Sequence, residues 1–151
     1  DRVFFIGHSL GGLYALHLAA ALGSRAVGGV TMATPYGGSA AALLLHVLYP
    51  QQLYRDIHPT AAPIIDGINI NLAVAWTAII SMRGHSQLMT SANDGVVTQE
   101  SMRTRRGARF IEVQSNHHEV TQSRESLSII CDAILTVSSD VRADFVHEAV
   151  A

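Results

Sequence analysis

Residues 3–12 read Val3-Phe4-Phe5-Ile6-Gly7-His8-Ser9-Leu10-Gly11-Gly12, a short apolar run that ends in glycine and gives way to Gly-x-Ser-x-Gly. Four consecutive apolar residues closed by a turn signal are the pattern of a strand buried on both faces of a parallel sheet. Over residues 10–22, Leu13, Leu16, Ala20 and other apolar residues recur at helical spacing, and Gly23 stands where a helix end favours a left-handed residue. This is half of a βαβ unit. The serine between strand and helix is expected on a sharp, strained turn, with glycine at 7 and 11 because a side chain at either would clash. Such a turn lifts the Ser9 hydroxyl clear of the backbone, at a helix N-terminus where the dipole and the free N–H of Leu10 favour a developing negative charge. The bare pattern arises by chance in about one chain in twenty of this length. Its setting between an apolar strand and an amphipathic helix is what gives it weight.

Working outward, residues 27–33 predict a second strand, closed by Thr34-Pro35 and followed by a Gly37-Gly38-Ser39 loop, so that the return strand completes a right-handed crossover. Residues 40–72 keep a helical period but are broken by Pro50, Pro59, Pro63 and Gly67, which predicts two or three short helices inserted over the sheet. A third strand falls at 77–82 or at 86–90, and in either case the Asn93-Asp94-Gly95 turn follows it. Residues 108–113 predict a fourth strand, with Ser115-Asn116-His117-His118 at its end. Leu127, Ile130, Cys131, Ile134 and Leu135 then form a stripe at i, i+3, i+4, i+7 and i+8, which predicts a final helix docked by that stripe. Residues 141–151 carry no clear signal. The expected fold class is α/β: about four mainly parallel strands flanked by helices, over residues 1–137, with the insertion at 40–72 and a tail at 138–151.

Composition narrows the function. Of 151 residues, 48% are hydrophobic and only 15% are charged, against about 25% charged in an average domain, so there is material for one well-filled core. All 10 basic residues are arginine, which excludes a P-loop lysine and a Schiff base. A net charge of −2 provides no field to gather nucleic acid or acidic lipids. The single cysteine, Cys131, has no internal disulfide partner, no Cys/His cluster has zinc-ligand spacing, and no apolar stretch reaches the roughly 20 residues that cross a bilayer. The expectation is a soluble chain without cofactor or metal, its compartment open. Because Asp1 leads at once into a buried strand, the expectation is also that the chain is a fragment.

A serine hydroxyl is a poor nucleophile at neutral pH, so a base must take its proton and a third group must orient the base. The chain order to look for is serine, acid, histidine. Asp94 follows the third strand position, and His117 and His118 follow the fourth. In a parallel sheet these loops share one edge with Ser9, where ligands bind. Asp66 is the second choice of acid, but it lies in the insertion. His8 reads as packing beneath the turn, His17 as structural, and His46, His58 and His85 as surface or substrate-facing. Arg103, Arg105, Arg106 and Arg109 read as a solvated basic face. Leu43, Leu44, Leu45, Val47, Leu48, Ile64, Ile65 and Ile68 suit either an acyl-lining lid or the core.

The stretches Gly7–Gly12 (GHSLGG), Ala33–Ser39 (ATPYGGS), Ser91–Val97 (SANDGVV) and His117–Val120 (HHEV) together resemble the α/β-hydrolase superfamily, and within it the lipase-like serine esterases. The Thr-Pro-x-Gly-Gly element is lipase-like, and Arg55-Asp56-Ile57 ahead of Pro63 and Asn69 is similar to the region after that element in bacterial members. The resemblance spans about residues 1–137. It implies Ser9 as nucleophile, Asp94 as acid, His117 as base and Leu10 as one oxyanion donor, with His118 the alternative base. His117 is preferred because the family's terminal His-x-Glu-Val places the catalytic histidine first. Members of the fold carry several strands ahead of the nucleophile, one loop of which supplies the other oxyanion donor. The resemblance therefore implies a missing N-terminal half and a partly open sheet. The implied function is hydrolysis of carboxylic esters, with a small-molecule ester or lipid substrate, contact with a lipid interface and no nucleic-acid partner. Thioesterase or acyltransferase chemistry on the same triad, and a non-catalytic truncated fragment, are the alternatives.

Overall fold

A computed structural model describes residues 1–39, 51–87 and 89–148. The apolar run forms β1 (Val3–His8), and α1 (Leu10–Leu22) begins after the single intervening residue Ser9. Gly23, at φ 54°, ends α1 by donating its N–H to the carbonyls of Ala19 and Ala20. A 3-10 turn over Gly23–Arg25 leads into β2 (Ala26–Met32). Then come α2 (Gln52–Asp56), α3 (Ala62–Asn69), β3 (Trp76–Ser81), α4 (Gln99–Met102), β4 (Arg109–Val113) and α5 (Arg124–Glu148).

The four strands form one parallel sheet in the order β1-β2-β3-β4. His8 lies opposite Met32, Met32 opposite Ile79 and Ile79 opposite Ile111, so the strands' C-terminal ends share an edge. Helices cover both faces. On one, Leu13, Leu16 and Ala19 of α1 and Ile64 of α3 bury against Trp76 and Ala78, with Phe5 packed beside them. On the other, Ile130 of α5 joins Val30, Ile79 and Val113, with Phe4 at its margin. Adjacent residues Phe4 and Phe5 thus serve opposite faces, which is why the run has no polar alternation. The architecture is an α/β fold.

The third strand is Trp76–Ser81, and Ser86, Gln87, Met89 and Thr90 lie outside any strand. Its Trp, Thr and two Ile residues suit a pleated strand paired on both sides, by β2 and by β4. In α5 the expected docking stripe is corrected. Leu127, Ile134 and Leu135 are 51%, 37% and 67% exposed and Cys131 is exposed, whereas Ser126 and Ile130 are buried and Ile129 and Ala133 pack on the core. The helix is turned by about one residue, roughly 100°. Two of the residues turned to the sheet, Ser126 and Ala133, are small, and a count of bulky residues overlooks them. The helix also runs on to Glu148, through residues read as a tail, because no Gly or Pro interrupts it. Among the described residues no helix is long and apolar enough to cross a membrane.

The described part of the insertion is helical and tied to α1. His17 donates from Nε2 to the Pro63 carbonyl at 2.8 Å, and the Tyr14 hydroxyl donates to Asp56 Oδ2 at 3.3 Å. Ile64 is core rather than lid, Ile65 is exposed, and Ile68 packs at the margin of the α1 cluster. The apolar residues 43–48, including His46, lie outside the described residues. The basic face also needs correction: Arg103 pairs with Glu112 at 2.6 Å, but Arg105 is buried and donates from Nη1 to the Ile70 carbonyl at 2.5 Å. Its guanidinium anchors the segment between α3 and β3.

Candidate active site

Ser9 occupies the one-residue turn between β1 and α1 with φ 53° and ψ −129°. Among the described residues only Ser9 and Ala33 combine a side chain with positive φ, a conformation that costs about 1–3 kcal/mol and persists where the surroundings impose it. The Ser9 N–H is held by the Met32 carbonyl at 2.9 Å, and its carbonyl accepts from the Gly12 N–H at 3.0 Å. Its hydroxyl makes no cap hydrogen bond to the helix, so the serine is not there as an N-cap. The turn is compact because Gly7 and Gly12 lie against each other: a Cβ on Gly7 would stand 2.6 Å from the Gly12 Cα, and one on Gly12 would stand 1.9 Å from Thr34 Oγ1. Nothing lies within 4 Å of a Cβ on Gly11, which corrects the steric role expected for that glycine. Leu10 opens α1, where a first-turn N–H has no intrahelical acceptor.

Asp94 and His117 meet on the same sheet edge. Asp94 sits in the loop after β3, and the loop after β4 brings His117 Nδ1 to 2.8 Å from Asp94 Oδ2, both side chains buried. The backbones are joined as well, the His117 N–H donating to the Asp94 carbonyl at 3.0 Å. Asp94 Oδ2 also accepts from the Ser81 hydroxyl at 2.5 Å, and Oδ1 accepts from the N–H groups of Val96 and Val97 at 3.0 and 2.8 Å. Four donors on one carboxylate keep it ionised. Burial pushes the Asp94 carboxyl up, yet the hydrogen bonds from His117, Ser81 and Val97 outweigh it and hold the group below its ordinary value. Because a carboxylate only accepts, His117 carries a proton on Nδ1, which makes Nε2 the atom that bears the lone pair in the neutral tautomer.

The Ser9 turn and the His117 loop touch through His8. His8 Nε2 lies 2.8 Å from the His117 carbonyl oxygen, and the two rings are 4.8 Å apart at 52°. His118 stands edge-on to His117 at 5.4 Å and is exposed. Asp66 is exposed on α3, beside Tyr14 and His17, away from this cluster. The arrangement therefore brings Asp94 to His117, and leaves His118 and Asp66 outside the pair. Ser81 and Gly84 contribute without having been singled out: Ser81 closes β3 beneath the carboxylate, and Gly84 lies so near the Asp94 backbone that a Cβ would come within 2.1 Å of its carbonyl carbon. A polar residue ending the apolar run 76–80 was the available signal for Ser81.

A cavity of about 370 Å³ borders the Asp94 loop, lined by Gly38, Ser39, Pro59, Thr90, Ser91 and Glu100 among others. A cavity of about 430 Å³ between the sheet and α5 instead touches the starts of β3 and β4, the edge opposite these loops. Among the described residues no three His, Cys, Asp or Glu side chains are grouped to hold a metal ion. Comparison with protein-family models yields no match, and no curated protein matches the chain either.

Proposed function

We propose that this chain is a serine hydrolase of the α/β-hydrolase type that cleaves carboxylic esters, with Ser9 as nucleophile, His117 as base and Asp94 as the group that orients it. The observation that carries the reading is the buried His117 Nδ1–Asp94 Oδ2 hydrogen bond of 2.8 Å, on the sheet edge where Ser9 is held in a strained, uncapping turn. In the reaction, His117 Nε2 takes the Ser9 proton as Oγ forms a bond to the ester carbonyl carbon. The tetrahedral oxyanion collapses, the alcohol leaves with the proton from His117, and water resolves the acyl-enzyme by the same exchange. Asp94 stays ionised and stabilises the imidazolium. The Leu10 N–H is positioned in sequence to donate to the oxyanion.

A fluorophosphonate probe reports directly on an activated serine. The whole chain is expected to label at Ser9, with labelling abolished in Ser9→Ala and slowed about 10³- to 10⁴-fold in Asp94→Asn, which leaves His117 in the wrong tautomer. A folded wild-type chain that fails to label, or labels equally in Ser9→Ala, overturns the proposal.

A further inference from the structure

We propose that His8 is a positioning residue of this site, which donates its Nε2–H to the His117 carbonyl and so ties the loop bearing the base to the turn bearing the nucleophile. The inference rests on the esterase reading above. A carbonyl oxygen only accepts, so at 2.8 Å the His8 nitrogen that faces it carries the proton. His117 is then held at three points: its side chain and its N–H by Asp94, and its carbonyl by His8. The first two fix the base to its acid. The third refers it to Ser9, the residue next to His8 in the chain.

Sheet order makes that link consequential. β1 and β4 are separated by β2 and β3, so no strand ladder joins the nucleophile's strand to the base's strand. His8 is the last residue of β1, fixed opposite Met32, and its side chain bridges the gap. The ring is half-buried, and burial above all lowers its basicity, as do the neighbouring His117 and His118; the His117 carbonyl and Asp94 act in the opposite sense without reversing the shift. A neutral His8 sets no positive charge beside the imidazolium that forms on His117.

The test compares His8→Phe, which keeps a ring and loses the donor, with His8→Gln, whose amide nitrogen reaches about as far as Nε2. Fluorophosphonate labelling rates, kcat and KM for a p-nitrophenyl ester, and Tm are measured on the whole chain. His8→Phe is expected to lose about 10- to 100-fold in kcat and labelling rate, the scale of a misplaced catalytic group, with KM and Tm near wild type. His8→Gln is expected to recover most of that loss. Should His8→Phe not fold, His8→Asn replaces it, because its shorter amide falls short of the carbonyl. Equal rates in the wild type and the donor-less variant, or no recovery in His8→Gln, overturn the positioning role while Ser9 labelling of the wild type still stands. An unlabelled wild type overturns the esterase reading and this inference with it.

Discussion

Three glycines surround Ser9, and they do different jobs. Gly7 and Gly12 are places where a methyl group has nowhere to go, whereas Gly11 faces open space and lies within α1. Gly11→Ala is therefore expected to be neutral or to stabilise by up to about 1 kcal/mol through helix propensity. Gly12→Ala, forced against Thr34, is expected to destabilise by about 1–3 kcal/mol. Urea melts of the two variants decide the matter, and the reverse ranking would sink this packing account. The distinction could not be read in advance. The motif exposes the spacing of the glycines, but the atom that crowds Gly12 belongs to Thr34, beyond the next strand. The meeting of Asp94 with His117 was far more legible, since an Asn-Asp-Gly turn and a histidine that each follow a strand must arrive at one edge of a parallel sheet. The contributions of Ser81 and His8 depend on how two loops close over that edge, which linear spacing does not encode.

Individual elements repeat the lesson. β1 and α1 were plain because a short apolar run and a glycine-stopped helix are local signals. The face that α5 presents was not, because Ser126 and Ala133, which it turns to the sheet, do not stand out in an apolar pattern. β3 shows what a strand gains from one buried polar contact. The Trp76 indole N–H donates to the Tyr36 hydroxyl at 3.0 Å, and that hydroxyl shares a 2.5 Å hydrogen bond with Thr31 Oγ1, the three side chains joining β3, β2 and the loop after β2 in the core. Tyr36→Phe leaves the indole N–H without its acceptor. The expected cost is about 1–3 kcal/mol, or a fall in Tm of several degrees at this chain length, about 2–4 °C per kcal/mol. An unchanged Tm by calorimetry would mean the three-residue chain contributes nothing to stability.

For the whole molecule, the site's electrostatics set how the fold responds to acid. Of the groups that titrate at neutral pH and below, two have a lower pKa folded than their ordinary values, His8 from 6.5 and Asp94 from 3.8. In each case the unfolded chain binds the proton more readily, so the stabilisation is present above the ordinary value and is lost as pH falls through the folded one. Thermal melts are expected to show a decline below pH 6.5 as unfolded chains gain a proton at His8, and a further loss below pH 3.8 from Asp94. Asp94→Asn should remove the lower portion. Stability in that variant that still falls as in wild type below pH 3.8 would assign the acid limb to other carboxyls.

The sheet order also distributes rigidity unevenly across the catalytic candidates. Asp94 hangs from β3, a strand laddered on both sides, while Ser9 hangs from β1, which among the described residues is laddered to β2 alone. His117 likewise hangs from an edge strand, β4, which among the described residues is laddered to β3 alone, so nucleophile and base both sit on strands held from one side. Local opening of β1 would carry the nucleophile away from the acid and base, a mode of inactivation that precedes unfolding and that the fluorescence of Trp76 would report, because its ring stands 6.3 Å from Phe5 of that strand.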